Sequence, residues 1–299
     1  MKVISKTIAF FGSGPVACKS LELLEKNFQI EIIITKPKKN KRDSAPVLDF
    51  AKSKNIKVAT PQNKNELNEL FLKKSIVSEV AILIDYGIIV SQEVIDYFPY
   101  GILNSHFSLL PEWRGADPIT FSLLSGQPET GVSLMVLTAG MDEGPLLAQS
   151  KIKISRDDTS VTLTEKLIHL SNDLITNNIA LYLSGDLKPY PQQTSKITYS
   201  RKLTKTDGEI DWEKPAEEIE REIRAYINWP KSFTKIGGRE VIITKAHIID
   251  ENDQMPGHFS VIDKQLVATC GTGSLVIDLL KPSGKPEMTS QAFMAGYKL

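Results

Sequence analysis

Cysteine is almost absent from this 299-residue chain. Only Cys18 and Cys270 occur, and there is no CxxC spacing. Two isolated thiols fit a reducing compartment better than a stapled secreted fold. Charge of one sign is also missing: Lys+Arg and Asp+Glu stand at 36 each, giving zero net charge. That balance argues against non-specific nucleic-acid binding over the whole surface and leaves room for a local basic patch. No stretch approaches the roughly 18 consecutive apolar residues of a membrane span. The opening MKVISKTIAFFGSG holds too short an apolar run for a signal peptide. A soluble, cytoplasmic protein without membrane contact is expected.

What is present is a change of pattern along the chain. The first half alternates strand and helix signals. Thr7–Phe11, Ile30–Thr35, Lys57–Ala59, Val80–Ile84 and Gly101–His106 read as strands. Helices are expected around Val47–Lys54, Asn65–Lys74 and Gln92–Phe98. Gly12-Ser13-Gly14-Pro15 makes a tight turn, with Pro15 suited to a first helical position and Val16, Leu21 and Leu24 at helical spacing. This alternation predicts an α/β fold with a doubly wound, mostly parallel sheet. Thr130–Leu137 and Leu146–Ile154 suit a hairpin, and Ser160–Tyr182 one long helix. Residues 184–196 hold two prolines and many polar residues, as a linker does. An amphipathic helix over Ala216–Tyr226 and five short strands follow. Gly237-Gly238 sits between two of them, which is a hairpin signal. A smaller C-terminal β-barrel, OB-like, is expected there. The expected division is 1–186 for the α/β domain, 187–203 for a linker and 204–299 for the second domain.

The chemistry concentrates in residues 103–118, LNSHFSLLPEWRGADP, and in Asp142 of AGMDEGPL. Asn104 and His106 are two apart, so on a strand they share a face. They sit where a parallel strand ends, which is where open α/β sheets place ligands. Asn104 would donate to a developing oxyanion. His106 would donate to it or carry a proton. Asp142 would orient and tune the imidazole or accept a proton from an amine. Those are the parts needed to move an acyl group onto an amine. An Asn-x-His pair at a strand end and an Asp in a turn also serve structural ends, and position is what favours chemistry. His169, His247 and His258 are scattered. His106 and Asp142 lack further well-spaced ligands, so no metal is expected. The GSGPVA turn has no acid at the end of the second strand to hold a ribose, so tight helix packing is its expected role. Lys36, Lys38, Lys39, Lys41 and Arg42 form a basic run just after the second strand, placed to touch a phosphate backbone.

LNSHFSLLPEWRGADPI followed by ETGVSLMVLTAGMDEGPLL resembles the folate-dependent formyltransferases. TYSRKLTKTDGEIDW, IRAYINWP and the tail KPSGKPEMTSQAFMAG narrow the resemblance to the branch acting on charged initiator tRNA. The resemblance runs from about Thr7 to the end. It implies a Rossmann-like catalytic domain and an OB-like tRNA-binding domain. It implies 10-formyltetrahydrofolate as donor and the methionyl group of charged initiator tRNA as acceptor. Catalytic roles fall to Asn104, His106 and Asp142. Ser108, Leu109, Leu110 and Pro111 match the folate-contacting segment, and Tyr86-Gly87 is expected in the same pocket. The basic run matches a tRNA-inserting loop, here short and glycine-free, and Phe107 replaces a common Gly or Pro. A monomer is expected. Two other readings stay open: a sugar-nucleotide or other small amine as acceptor, and a non-catalytic tRNA-binding protein.

Overall fold

The computed structural model describes residues 7–38, 40, 45–73, 75–250 and 254–297. The chain divides into two compact units. One is Met1–Pro118, Glu129–Ile152 and Thr164–Ser200; the other is Ile119–Pro128, Lys153–Leu163 and Arg201–Leu299. Among the described residues no helix is long and apolar enough to cross a membrane.

The elements run β1 (Thr7–Gly12), α1 (Gly14–Leu24), β2 (Gln29–Ile34), α2 (Pro46–Ser53), β3 (Lys57–Ala59), α3 (Lys64–Leu72), β4 (Ala81–Ile84) and α4 (Gln92–Ile95). After them come β5 (Ile102–His106), β6 (Arg114–Gly115), α5 (Pro118–Leu124), β7 (Glu129–Val136), β8 (Leu146–Lys153), α6 (Ser160–Ser184) and β9 (Tyr199–Ser200). The seven-stranded sheet has the order β3-β2-β1-β4-β5-β7-β8. Its strands are parallel from β3 through β5, and β7 runs antiparallel to β5. The expected doubly wound, mostly parallel sheet is therefore present.

Apolar strands with helices on the sheet dictate this arrangement. Ile8, Ala9, Phe10 and Phe11 of β1 are all fully buried, as suits a strand covered on both faces. Phe11 packs edge-on against Phe98 and Tyr86, and stacks with Phe71. Asn63 caps α3 by accepting from the Asn65 and Glu66 amides. The GSG turn does pack tightly. A Cβ on Gly12 would lie 2.7 Å from both Ala17 Cβ and the Ile84 carbonyl, so only glycine lets α1 approach the sheet. The helix expected to reach Phe98 stops at Ile95, because Phe98 turns into the aromatic cluster.

The second unit contains α7 (Ala216–Ala225), β10 (Ser232–Ile236), β11 (Arg239–Ile249), β12 (Phe259–Ile262), β13 (Gln265–Thr269), β14 (Ser274–Pro282), β15 (Met288–Thr289) and α8 (Ser290–Gly296). The strands form one antiparallel sheet of order β10-β11-β14-β13-β12, with β15 on β14. Gly237 and Gly238 both have positive φ, the geometry of a two-residue hairpin turn. Ile219 and Ile223 of α7 bury against Val241, Ile243 and Leu280. Phe293 of α8 is fully buried in the same core. Both cysteines are buried free thiols, and burial pushes each up to about 11.

Candidate active site

Asn104 and His106 stand two residues apart at the C-terminal end of β5, and both are buried. Opposite them across the β5–β7 ladder are Met135 and Ser133. After β7 the chain makes the tight turn AGMDEGP and returns as β8. Asp142 takes a left-handed φ of 49° within that turn, a conformation aspartate tolerates better than most residues. The turn brings its carboxylate back to β5. Asn104 Nδ2 donates to Asp142 Oδ1 at 3.2 Å, and the other oxygen, Oδ2, lies 3.7 Å from His106 Nδ1. The three side chains read from the sequence thus converge.

A third segment closes the group. Residues 113–117 curl sharply, with positive φ at Trp113, Gly115 and Asp117. The Gly115 amide donates to Asp142 Oδ2 at 2.8 Å, and the Trp113 carbonyl lies 2.9 Å from His106 Nε2. A carbonyl only accepts, so Nε2 carries the proton and Nδ1 of the neutral ring presents a lone pair beside Asp142. The curl is held in turn by β9, which pairs parallel with β6. Thr198 supports it with its hydroxyl oxygen and its carbonyl, accepting from the Trp113 and Arg114 amides.

The structure places the other residues singled out in the sequence as follows. Ser108 is fully buried and spends its hydroxyl on the Glu112 carbonyl. Leu109, Leu110 and Pro111 line a cleft of about 290 Å³ with Leu146, Gln149 and Tyr190. Ser133 Oγ and Gln149 Nε2 fix the backbone of this loop at Ser108 and Leu110. Tyr86 and Gly87 follow the C-terminal end of β4, next to β5 in the sheet. Tyr86 Oη is buried without a hydrogen-bond partner among the described residues, and burial pushes its pKa up. Lys36 and Lys38 are exposed and border a cleft of about 200 Å³ with Ser13, Gly14 and Thr35. Lys39, Lys41 and Arg42 lie outside the described residues.

Two residues, Asp85 and Gln192, escaped the sequence reading, and Arg114 enters it only as part of a pocket-wall loop. Asp85 follows β4 with a φ of 51°, beside Gly14. It keeps exposed surface, yet protein atoms crowd round it. That crowding and the nearby Asp117 raise its pKa to about 6, against a lowering pull from Lys36. Arg114 is 6% exposed, a buried member of the loop between Trp113 and Gly115. Gln192 comes from the stretch read as a linker and bonds to the Asp142 turn.

The description "Formyl transferase" matches residues 6–179, and "Formyl transferase, C-terminal domain" matches residues 202–298. The chain is 33% identical over 303 residues to a methionyl-tRNA formyltransferase of Myxococcus xanthus, covering 98% of this chain and 95% of that one. It is 36% identical over 291 residues to one of Hahella chejuensis, covering 93% and 91%. Among solved structures it is similar to an N-formyltransferase of Helicobacter canadensis crystallised with folinic acid and dTDP-3-aminofucose. There the TM-score is 0.70 at 22% identity, over 92% of this chain and 99% of that one.

Proposed function

The chain belongs to the formyl transferase family, and from that premise we propose that it transfers a formyl group from 10-formyltetrahydrofolate to the amino group of methionyl-tRNA. The observation that carries this reading is the likeness to methionyl-tRNA formyltransferases, which extends through both matched segments and nearly the whole chain. The likeness to sugar formyltransferases, at 22% identity, speaks for the fold alone.

The donor supplies its formyl group as an amide whose leaving nitrogen is an arylamine. The Leu109–Pro111 segment, and separately Tyr86 and Gly87, which do not line its cleft, are the residues to hold it. An orphaned buried hydroxyl at Tyr86 and the apolar edge of Leu109, Leu110 and Pro111 suit a flat, partly apolar molecule.

Asn104 spends one of its two N–H groups on Asp142. The second donates to the formyl oxygen as that oxygen gains negative charge. His106, with its proton fixed on Nε2, offers Nδ1 as base toward the attacking amine, directly or through a water. Once protonated, Nδ1 faces the Asp142 carboxylate, which stabilises the imidazolium. The same nitrogen then returns the proton to the leaving arylamine. Lys36 and Lys38 contact phosphates of the acceptor. Replacing either lysine by alanine should flatten the slope of log affinity against log salt by about 0.7–0.9.

The test is direct. Purified protein, 10-formyltetrahydrofolate and charged initiator tRNA should yield formyl-methionyl-tRNA. A folded protein that consumes the donor with an amino-sugar nucleotide and leaves the tRNA unformylated would move the acceptor to the small-amine class.

A further inference from the structure

The Gln192 side chain spans the turn that presents Asp142. Its Nε2 donates to two carbonyls, those of Asp142 and Gly144, each at 2.8 Å. Its Oε1 accepts from Arg114, 2.8 Å from Nη2 and 3.2 Å from Nε. The amide orientation is forced, because carbonyls only accept and a guanidinium only donates. One side chain therefore ties the backbone on both sides of Glu143 to Arg114. Arg114 is the residue between Trp113, which fixes the His106 proton, and Gly115, which binds Asp142 Oδ2. Two of the site's segments, the Asp142 turn and the 113–117 curl, meet at this amide.

The Asp142 carboxylate is held by Asn104 and Gly115, and Glu143 pairs with Arg114 at 4.0 Å, but among the described residues only Gln192 grips the turn's backbone carbonyls at Asp142 and Gly144 from a side chain. Asp142 sits at positive φ, and its neighbours Met141 and Glu143 are exposed. The stretch carrying Gln192 is itself fastened nearby: the amide and carbonyl of Tyr190 pair with those of Leu146 at the start of β8. Gln192 thus reaches the turn from a fixed point.

We propose that Gln192 is a positioning residue that holds the Asp142 carboxylate against Asn104 and Gly115. This rests on the reading of Asp142 as part of the formyl-transfer machinery. Gln192 touches no reacting atom and acts through the backbone it grips.

Two substitutions in the full-length protein separate this role from simple satisfaction of Arg114. Gln192→Met removes both functions. Gln192→Glu keeps an acceptor for Arg114 and turns an oxygen toward the Asp142 and Gly144 carbonyls. Both should lower kcat about 100-fold, the scale of a displacement of about 1 Å in a catalytic group, while the KM for donor and tRNA stays within about twofold. In an Asp142→Asn background, Gln192→Glu should add less than a further twofold, because the group it positions is already gone. Wild-type kcat in Gln192→Glu would reduce the residue to a partner of Arg114. Losses that multiply in the double variant would also overturn the proposal. Should Gln192→Met fail to fold, Gln192→Glu decides alone. A wild-type protein that never formylates charged tRNA overturns the functional reading itself; a normal wild type with an unaffected Gln192→Glu overturns only the positioning.

Discussion

His106 and Trp113 are joined by a 2.9 Å hydrogen bond between Nε2 and the main-chain carbonyl, and this one bond decides which imidazole nitrogen is basic. In neutral His106 the proton belongs on Nε2. Nitrogen-15 chemical shifts of labelled protein should report the Nε2–H tautomer. Observation of Nδ1–H would hand the base role to the wrong side of the ring and end the proton route described above. His106→Gln, which keeps a donor and loses a titratable base, should cost about 100-fold or more in kcat.

Asn104→Ala removes the candidate oxyanion donor and also the partner of Asp142 Oδ1. Loss of one such donor costs about 2.7–4 kcal/mol of barrier, so kcat should fall about 100- to 1000-fold. Tetrahydrofolate affinity, measured by fluorescence quenching, should change little. A variant with near-normal turnover would remove Asn104 from the machinery.

Gly115→Ala tests the curl that supports the site. Gly115 has a φ of 108°, and an added Cβ would lie 2.6 Å from the Ser200 carbonyl. Backbone must move, the β6–β9 pairing must loosen, and the amide that binds Asp142 Oδ2 moves with it. We expect a loss of about 1–3 kcal/mol in stability, read from denaturant unfolding, with kcat reduced at least about tenfold. Unchanged stability would show that the curl relaxes freely.

Asp85 offers a pH-dependent test. Its folded pKa, raised to about 6 from an ordinary 3.8 by crowding and by Asp117, means the folded chain holds a proton more tightly than the unfolded one. Stability linked to Asp85 is therefore greatest below pH 4 and is lost as pH climbs through 6. Asp85→Asn should raise the melting midpoint by about 2 °C at pH 7.5, discounted for the solvent that reaches the group. At pH 4 it should change it little. Equal shifts at both pH values would show that no such linkage exists.

The sheet was legible because its strands are short β-branched or aromatic runs closed by turn residues, as in Thr7–Gly12 and Ala81–Ile84. Asn104 and His106 were legible because spacing by two fixes a shared face. Asp142 was harder. Nothing in MDEG alone says which way the turn folds back, and the family resemblance supplied that link. Gln192 left no trace in the sequence, since its partners are mainly carbonyls 48 and 50 residues away, which any residue provides. The α8 helix was missed for another reason: at seven residues it gives too little periodicity to stand out, and Phe293 is its one fully buried apolar side chain, with Met294 packing beside it.

The interleaved course of the chain has a practical consequence for anyone wishing to divide it. Arg221 donates to the Leu124 carbonyl, Arg224 to that of Asp158, and Arg201 lies over the Phe121 ring. A fragment ending at Ser200 would carry Ile119–Pro128 and Lys153–Leu163 stripped of those cations, and the remainder would begin life missing two of its own pieces. Protease nicking at this junction should therefore leave both products associated until denaturant parts them, and neither half expressed singly should match its behaviour in the intact chain.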